Sequence, residues 1–467
     1  MAKCPHCGAE FKFDARKKLV HCDYCGSDFN PKELKKEVKT SKKHENVIEG
    51  KTYSCTQCGA TLMTFDETAV TFCSYCSSQN IVENKVTEEN APDLIIPFSV
   101  TQEEGVNNYK RKISSFLFSP SYMKSDIVVK KFRGIYMPYA VYELVHNGDC
   151  VNKGKKYNHR SGDYVYYDDY DIHAVVNAKY TGISYDLLSK FYDDYSQSIP
   201  FNTKKAEEFN PNYLPGFYAD KGDVGVETYY SDAATICSTD STKYLKKEKI
   251  FSKYGCSNPT VGFGVSDKKY ALLPMYFLSI RSKDDKHIHY AVINGQTGKV
   301  AADMPISFWK YLIFSLLLTI PIFFVLNILP VIIPNMVNIF TGIMAIIAWC
   351  ICANQISKCN DRDSRYQDKG YSSLLPKYDG QTGKPIKYKK SKKYKLSFKY
   401  WIKYLIAIIT SFIIIIFNPI QDSIHYIGAI IGLILIIWSF FDLVKIHNQL
   451  VSRPIPQLDK RGGDESE

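Results

Sequence analysis

The pattern Cys4-x2-Cys7-x14-Cys22-x2-Cys25 returns as Cys55-x2-Cys58-x14-Cys73-x2-Cys76, every cysteine displaced by 51 residues. Neighbours return with it: Gly8-Ala9 as Gly59-Ala60, Tyr24 as Tyr75 and Ser27 as Ser78, so one folding unit has been duplicated. Two residues between cysteines let a tight turn aim both sulfurs and nearby N–H groups at one ion, and a glycine after the pair relieves the turn. Two such turns complete a tetrahedral four-sulfur shell. A module this small cannot bury enough apolar surface to fold unaided, so bound metal would supply its folding free energy. The sequence therefore predicts two structural Zn2+, one per small β ribbon, at 1–30 and 53–82. A redox dithiol needs a single pair in a βαβ setting, whereas here four pairs repeat in register. A rubredoxin-like iron site stays open as the alternative. His6 and His21 lie beside full shells and read as surface residues.

Residues 31–52 are rich in Lys and Glu and read as a charged linker. Its Glu49-Gly50-Lys51-Thr52 end is no phosphate loop, because Glu45 stands where the leading glycine must be. Residues 93–305 read as a mainly β, α+β cytoplasmic domain. A helix opens at Thr101, where Thr101 and Glu104 fit a capping box, and Val106, Tyr109, Ile113, Phe116 and Leu117 recur at helical spacing until Pro120. The stretches 126–144, 164–180 and 270–294 read as strands, with a polar turn from Arg281 to Lys286. His287 and His289 share one strand face, and Asp168, Asp169 and Asp171 form an acidic run, but solvated sheet explains both without a ligand. Cys150, Cys237 and Cys256 lack a paired cysteine and read as small apolar residues. No nucleophile elbow, Walker lysine, His-Glu-x-x-His helix or dinucleotide fingerprint occurs, so a catalytic site is not expected.

A mean hydropathy of -0.21 averages two unlike parts, because the chain beyond Trp309 alternates between Ile/Leu/Phe blocks and Lys-rich loops. Four blocks, 309–329, 335–353, 401–418 and 424–444, are each near the ~20 residues that cross a hydrocarbon core. They predict two transmembrane hairpins, 309–353 and 401–444, and a four-helix membrane domain. Pro330–Pro334 and 418–422 carry no Lys or Arg, whereas Lys310, the 355–399 loop and the 445–467 tail are basic. The positive-inside rule then gives a multi-pass cell-membrane protein with both termini cytoplasmic, where thiolates stay reduced for metal. Much of the net charge of +11 sits in that loop, and Lys387, Lys389, Lys390, Lys392, Lys393 and Lys395 are expected to hold anionic lipid headgroups. Cys350, Cys352 and Cys359 could be acylated, with apolar packing the simpler reading. Asn327 and Pro321 alone hint at a transport path, and a packing kink explains them equally.

Five phrases carry a family resemblance: Cys-Pro-His-Cys-Gly (4–8), Ile-Ile-Pro-Phe (95–98), Gly-Ile-Tyr-Met-Pro-Tyr (134–139), Tyr-Leu-Pro-Gly-Phe-Tyr-Ala-Asp (213–220) and Asn-Gly-Gln-Thr-Gly-Lys (294–299). With them the chain resembles bacterial membrane-associated proteins that carry a transcription-factor-IIB-type zinc ribbon. Ala302-Asp303 departs from that pattern, where a glycine is expected. Members are often labelled replication-restart helicase, a label this chain does not support, having no helicase phosphate loop. The resemblance implies a scaffold in envelope-stress systems, with phage-shock-type coat proteins or flotillin-like proteins as partners beside membrane lipids. The expectation is a noncatalytic, membrane-anchored zinc-ribbon scaffold that recruits cytoplasmic proteins. The alternative is a membrane-tethered nucleic-acid-binding ribbon. Phe11, Lys12, Phe13, Arg16, Lys17 and Lys18 of the first module would suit it, while Thr56, Gln57, Thr61, Asp66 and Glu67 of the second offer almost no positive charge.

Overall fold

A computed structural model describes residues 3–34, 47–66, 70–282, 287–328, 334–365, 367–374 and 398–456. The lysines from Lys387 to Lys395 that the sequence assigns to lipid headgroups lie outside the described residues.

The body is built on two long neighbours, the strands Arg133–Ser161 and Gly264–Arg281, which pair antiparallel from Arg133↔Phe277 to Val145↔Gly264. Successive residues point to opposite faces of a strand, and both faces here are apolar. Tyr136, Tyr276 and Leu278 enter one core, while Ile135, Met137, Tyr139, Leu273, Met275 and Phe277 enter the other. A sheet covered on both sides needs continuous apolar strands rather than alternating ones, which explains runs such as Gly134–Tyr139.

The outer edge of Gly264–Arg281 is shared by Leu94–Ile95, running parallel, and by His287–Asn294. The latter pairs onward with Val300–Ala302 and with Arg453–Pro454 from the far end of the chain. On the opposite side, Arg133–Ser161 takes Tyr164–Asp186 as a long hairpin partner, and Tyr218–Ala219 runs parallel to Ile135 and Tyr136. Tyr218–Ala219 in turn pairs with Thr61–Thr64, followed by Val47–Cys55 and Ile81–Asn90. Residues 47–52, expected in the linker, are therefore strand. The polar residues of this segment take the open positions, Glu49 exposed and Lys51 half-buried, while Val47, Ile48 and Gly50 are buried.

The first module is a separate three-stranded sheet of Lys12–Asp14, Leu19–His21 and Asp28–Phe29. Its Phe11, Phe13 and Val20 join the core containing Tyr136, whereas the cysteines of the second module join the core containing Ile135. The two sulfur clusters thus lie toward opposite faces of one sheet.

The helix Gln102–Ser115 carries the full capping box: Thr101 Oγ1 accepts from the Glu104 N–H at 3.2 Å, and Glu104 accepts from the Thr101 N–H at 2.9 Å. Its buried residues include Tyr109 and Ile113. Within 126–144 the first four residues form a helical turn, Asp126–Val129, instead of strand. Of its β-branched residues only Val129 is buried and Ile127 is exposed, a spacing one helical turn satisfies.

The expected four-helix membrane domain, and with it the four-span multi-pass localisation, is corrected by the number of candidate spans. Among the described residues two helices are long and apolar enough to cross a membrane, Asn335–Ser364 and Asp422–Leu450. Phe308–Ile322 and Ile402–Phe417 are apolar but shorter. The most apolar windows of the two long helices are only 17% and 28% buried, so neither is a core helix of the body.

The ends of these helices are fastened to the body. Arg362 donates to the carbonyls of Gln449 and Leu450, joining the two long helices to each other. Arg365 donates to the carbonyls of Ser189 (2.7 Å) and Phe191 (3.0 Å) and lies between the rings of Tyr192 and Tyr371. Arg453 stacks over Tyr192 and Tyr195 and pairs with Asp194 at 3.3 Å.

Candidate metal centres

Each four-cysteine set converges on one point, with all sulfurs within 4.8 Å of one another. In the first, Cys4 Sγ is 3.6 Å from Cys25 Sγ, and Cys7 Sγ is 3.6 Å from Cys22 Sγ. In the second, Cys55 pairs with Cys76 and Cys58 with Cys73, again at 3.6 Å. That spacing fits tetrahedral thiolates on a cation such as Zn2+, whose Zn–S bonds are about 2.3 Å.

The turns that aim the sulfurs are alike. The Gly8 N–H donates to the Cys4 carbonyl and the Cys4 N–H to the Ala9 carbonyl, and Gly59, Cys55 and Ala60 repeat this at 2.8 Å each. Gly26 and Ser77 close the other two turns onto Cys22 and Cys73 at 2.9 Å. All four closing residues have positive φ: Gly8 at 74°, Gly26 at 70°, Gly59 at 76° and Ser77 at 57°. Serine is disfavoured there. It is held because Ser77 Oγ reaches the Ser279 carbonyl at 2.6 Å and the Ser279 hydroxyl at 2.7 Å.

Crowded thiols cannot all titrate alike. Cys25 is lowered to about 6, first by the Ser27 hydroxyl 3.3 Å away. The Ala9 backbone pulls Cys7 down, but burial and hydrogen bonds to Cys22, Cys25 and Cys4 leave it raised to about 12. In the second set, hydrogen bonds from Cys58, Cys73 and Cys76 push Cys55 down, while those of Cys55, Cys58 and Cys76 push Cys73 up. Protons are thus shared unevenly among sulfurs forced together. A divalent cation at the centre would let all four ionise, which is the condition for metal–thiolate bonding.

The two sites differ in setting. All four cysteines of the second are buried, as is Tyr75, at 1% exposure. Tyr75 donates its hydroxyl to Asp220, which also pairs with Lys190 at 2.7 Å, and the Tyr75 carbonyl accepts from Tyr290 Oη at 2.9 Å. Burial, Asp220 and other nearby acidic groups hold the Tyr75 phenol well above its ordinary range. Asp220 itself is pushed up by burial and pulled back by Lys190. Arg281 Nε donates to the Cys76 carbonyl at 2.8 Å. In the first module the equivalent tyrosine, Tyr24, is 83% exposed, and Cys7 and Cys25 are exposed with it.

This clasp of Tyr75, Asp220 and Lys190 was not foreseen from sequence. The repeat hints at it only through the shared tyrosine.

The other residues singled out in the sequence do not form a metal site among the described residues. Asp168 accepts from Asn158 at 2.9 Å and Asp169 lies 3.8 Å from Lys155, both on the exposed hairpin. His287 and His289 line a cavity between the body and the helix ends, together with Phe308, Phe441 and Lys445. His289 Nδ1 lies 3.3 Å from the Val451 carbonyl. Cys150, Cys237 and Cys256 are buried, and burial pushes Cys237 up to about 11. Cys352 and Cys359 pack in an apolar cluster with Ala348, Ile356, Tyr404 and Ile446, while Cys350 is exposed. His6 and His21 are bonded to Ser27 and Asp28 and take no part in the sulfur cluster.

The chain is similar to the uncharacterized protein YdjG of Bacillus subtilis (strain 168), at 28% identity over 318 residues that cover 65% of this chain and 90% of that protein. No protein-family model and no solved structure matches it.

Proposed function

We propose that the chain is a noncatalytic, zinc-dependent scaffold held at a membrane by its long apolar helices, presenting its ribbons and β body to protein partners. The observation that carries this reading is the pair of four-thiol clusters, each drawn to within 4.8 Å by turns repeated in register. One Zn2+ in each would fix a ribbon on either face of the sheet. Membrane attachment is supported by the low burial of Asn335–Ser364 and Asp422–Leu450, whose apolar side chains otherwise meet solvent. Partners are expected on the protein surfaces that the metal keeps folded.

A nucleic-acid role draws less support. The cations of the first module already face acids of the same chain: Lys12 with Asp23 at 3.5 Å, Arg16 with Glu103 at 3.9 Å and Lys17 with Asp28 at 2.8 Å.

Elemental analysis of the purified full-length chain should give two zinc per chain. Crosslinking in native membranes should recover partners that are lost when Cys4 and Cys22, or Cys55 and Cys73, become serine. Recovery of the same partners from metal-free protein would refute the scaffold role, and release of the chain by alkaline carbonate would refute the anchor.

A further inference from the structure

The two sulfur clusters share one sequence pattern and differ in what can reach them. In the second ribbon, Cys55, Cys58, Cys73 and Cys76 are at most 2% exposed, behind Tyr75, Phe277 and Tyr290. In the first, Cys4 and Cys22 are equally buried, but Cys7 and Cys25 open to solvent. Each exposed sulfur has a buried partner at 3.6 Å: Cys7 has Cys22, and Cys25 has Cys4. An exposed thiolate next to a second sulfur is the arrangement in which a peroxide is attacked and the product resolved as a disulfide.

We propose that the first ribbon is an oxidant-sensitive metal site, discharged by hydroperoxides, and that the second remains loaded under the same exposure. The proposal rests on the zinc reading above. The Cys7 thiolate attacks one oxygen of hydrogen peroxide, the O–O bond breaks, and the departing hydroxide takes a proton from a buffer acid, leaving a sulfenic acid. The Cys22 thiolate then attacks the Cys7 sulfur, the S–S bond forms, and hydroxide leaves and is protonated. In sum, two thiolates, two protons and one peroxide give one disulfide and two waters, with two electrons passing from sulfur to oxygen. Cys25 and Cys4 can react in the same way. Sulfurs tied in disulfides no longer offer the charge that holds a divalent ion, and the metal leaves.

The consequence is set by how each ribbon is joined to the body. The first is docked: Phe13 stacks edge-on to Tyr213 at 5.1 Å, its N–H donates to the Pro215 carbonyl at 3.0 Å, and the Pro31 carbonyl accepts from Asn210 and Asn212. Its own three-stranded sheet shares no strand with the body. Losing metal removes the folding energy of so small a unit, so the docked face should come away from residues 210–217. The second ribbon cannot follow, because its strands are paired into the main sheet through Tyr218–Ala219.

The test uses the full-length chain in detergent micelles, with zinc counted before and after hydrogen peroxide by a chromogenic chelator. Peptide mapping then locates the lost thiols, and hydrogen exchange follows residues 13 and 213–217. The expected result is release of one of the two zinc ions, disulfides joining Cys7 to Cys22 or Cys4 to Cys25, and faster exchange at the docked face, reversed by a thiol reductant with added zinc. Release of both ions at one rate, release of neither, or thiol loss among Cys55, Cys58, Cys73 and Cys76 overturns this proposal and leaves the zinc reading standing. Protein without zinc before oxidant overturns both.

Discussion

Replacing Lys190 by methionine should open the second ribbon. Asp220 has no exposed side-chain surface and Lys190 only 8%, so the substitution strands a carboxylate that burial already pushes up. Breaking a buried pair from one side costs about 3–5 kcal/mol, and the Tyr75 hydroxyl with the Lys221 N–H, 2.8 Å away, can return only part of that to Asp220. The assay is hydrogen exchange at the Ser77 and Gly59 amides, which close the metal-binding turns. If opening of this region limits exchange, the loss corresponds to an acceleration of roughly a hundredfold to several thousandfold. The sign of the pH dependence follows from the carboxylate. With Lys190 gone, the folded Asp220 pKa lies further above its unfolded value, so stability is fullest below the unfolded pKa and falls as pH rises through the folded one. The gap between variant and wild type should therefore widen with pH. Adding Asp220→Asn to Lys190→Met removes the stranded charge and should recover most of the loss. An acceleration below about tenfold, or a double variant as damaged as the single one, would refute the clasp.

Three further outcomes follow from the packing. Ser77→Gly loses its bonds to Ser279 but escapes the strain of φ 57°, so melting should stay within about 1 kcal/mol of wild type, while Ser77→Val should cost roughly 2–4 kcal/mol. Arg365→Lys forfeits two carbonyl acceptors and the stack between Tyr192 and Tyr371. It should cost about 2–4 kcal/mol in a thermal melt and speed proteolysis between the helix and the body. Asp186 is raised to about 8, chiefly by burial, so it contributes stability at low pH that is lost as pH climbs from about 4 to 8. Asp186→Asn should flatten that slope in melts taken between pH 6 and 8, and an unchanged slope would refute the assignment.

The sulfur clusters were legible because spacing alone dictates them: two residues fix a turn, and the second pair closes the shell. The capping box at Thr101 was legible for the same local reason. What sequence could not show is which face each copy meets. Tyr24 and Tyr75 occupy one register in the repeat, yet one is in solvent and the other in the core, because only the second ribbon pairs its strands into the main sheet. Lys190 and Asp220 lie far from Tyr75 in the chain, and no local pattern joins them. In the membrane half composition counted four spans, whereas two helices qualify among the described residues, because an apolar block alone does not show how much of a helix is long and apolar together.

Arg453–Pro454 supplies an edge strand beside His287 and Ile288, although both long apolar helices lie between these partners in the chain. During synthesis that edge must therefore wait, open, until the ribosome has delivered both helices and the segment returns to the body. A chain whose helices were misrouted could not bring Arg453 back to Tyr192 and Tyr195. Closure of this edge thus couples the sheet to the placement of both helices, because the segment that completes it is delivered last among its neighbours.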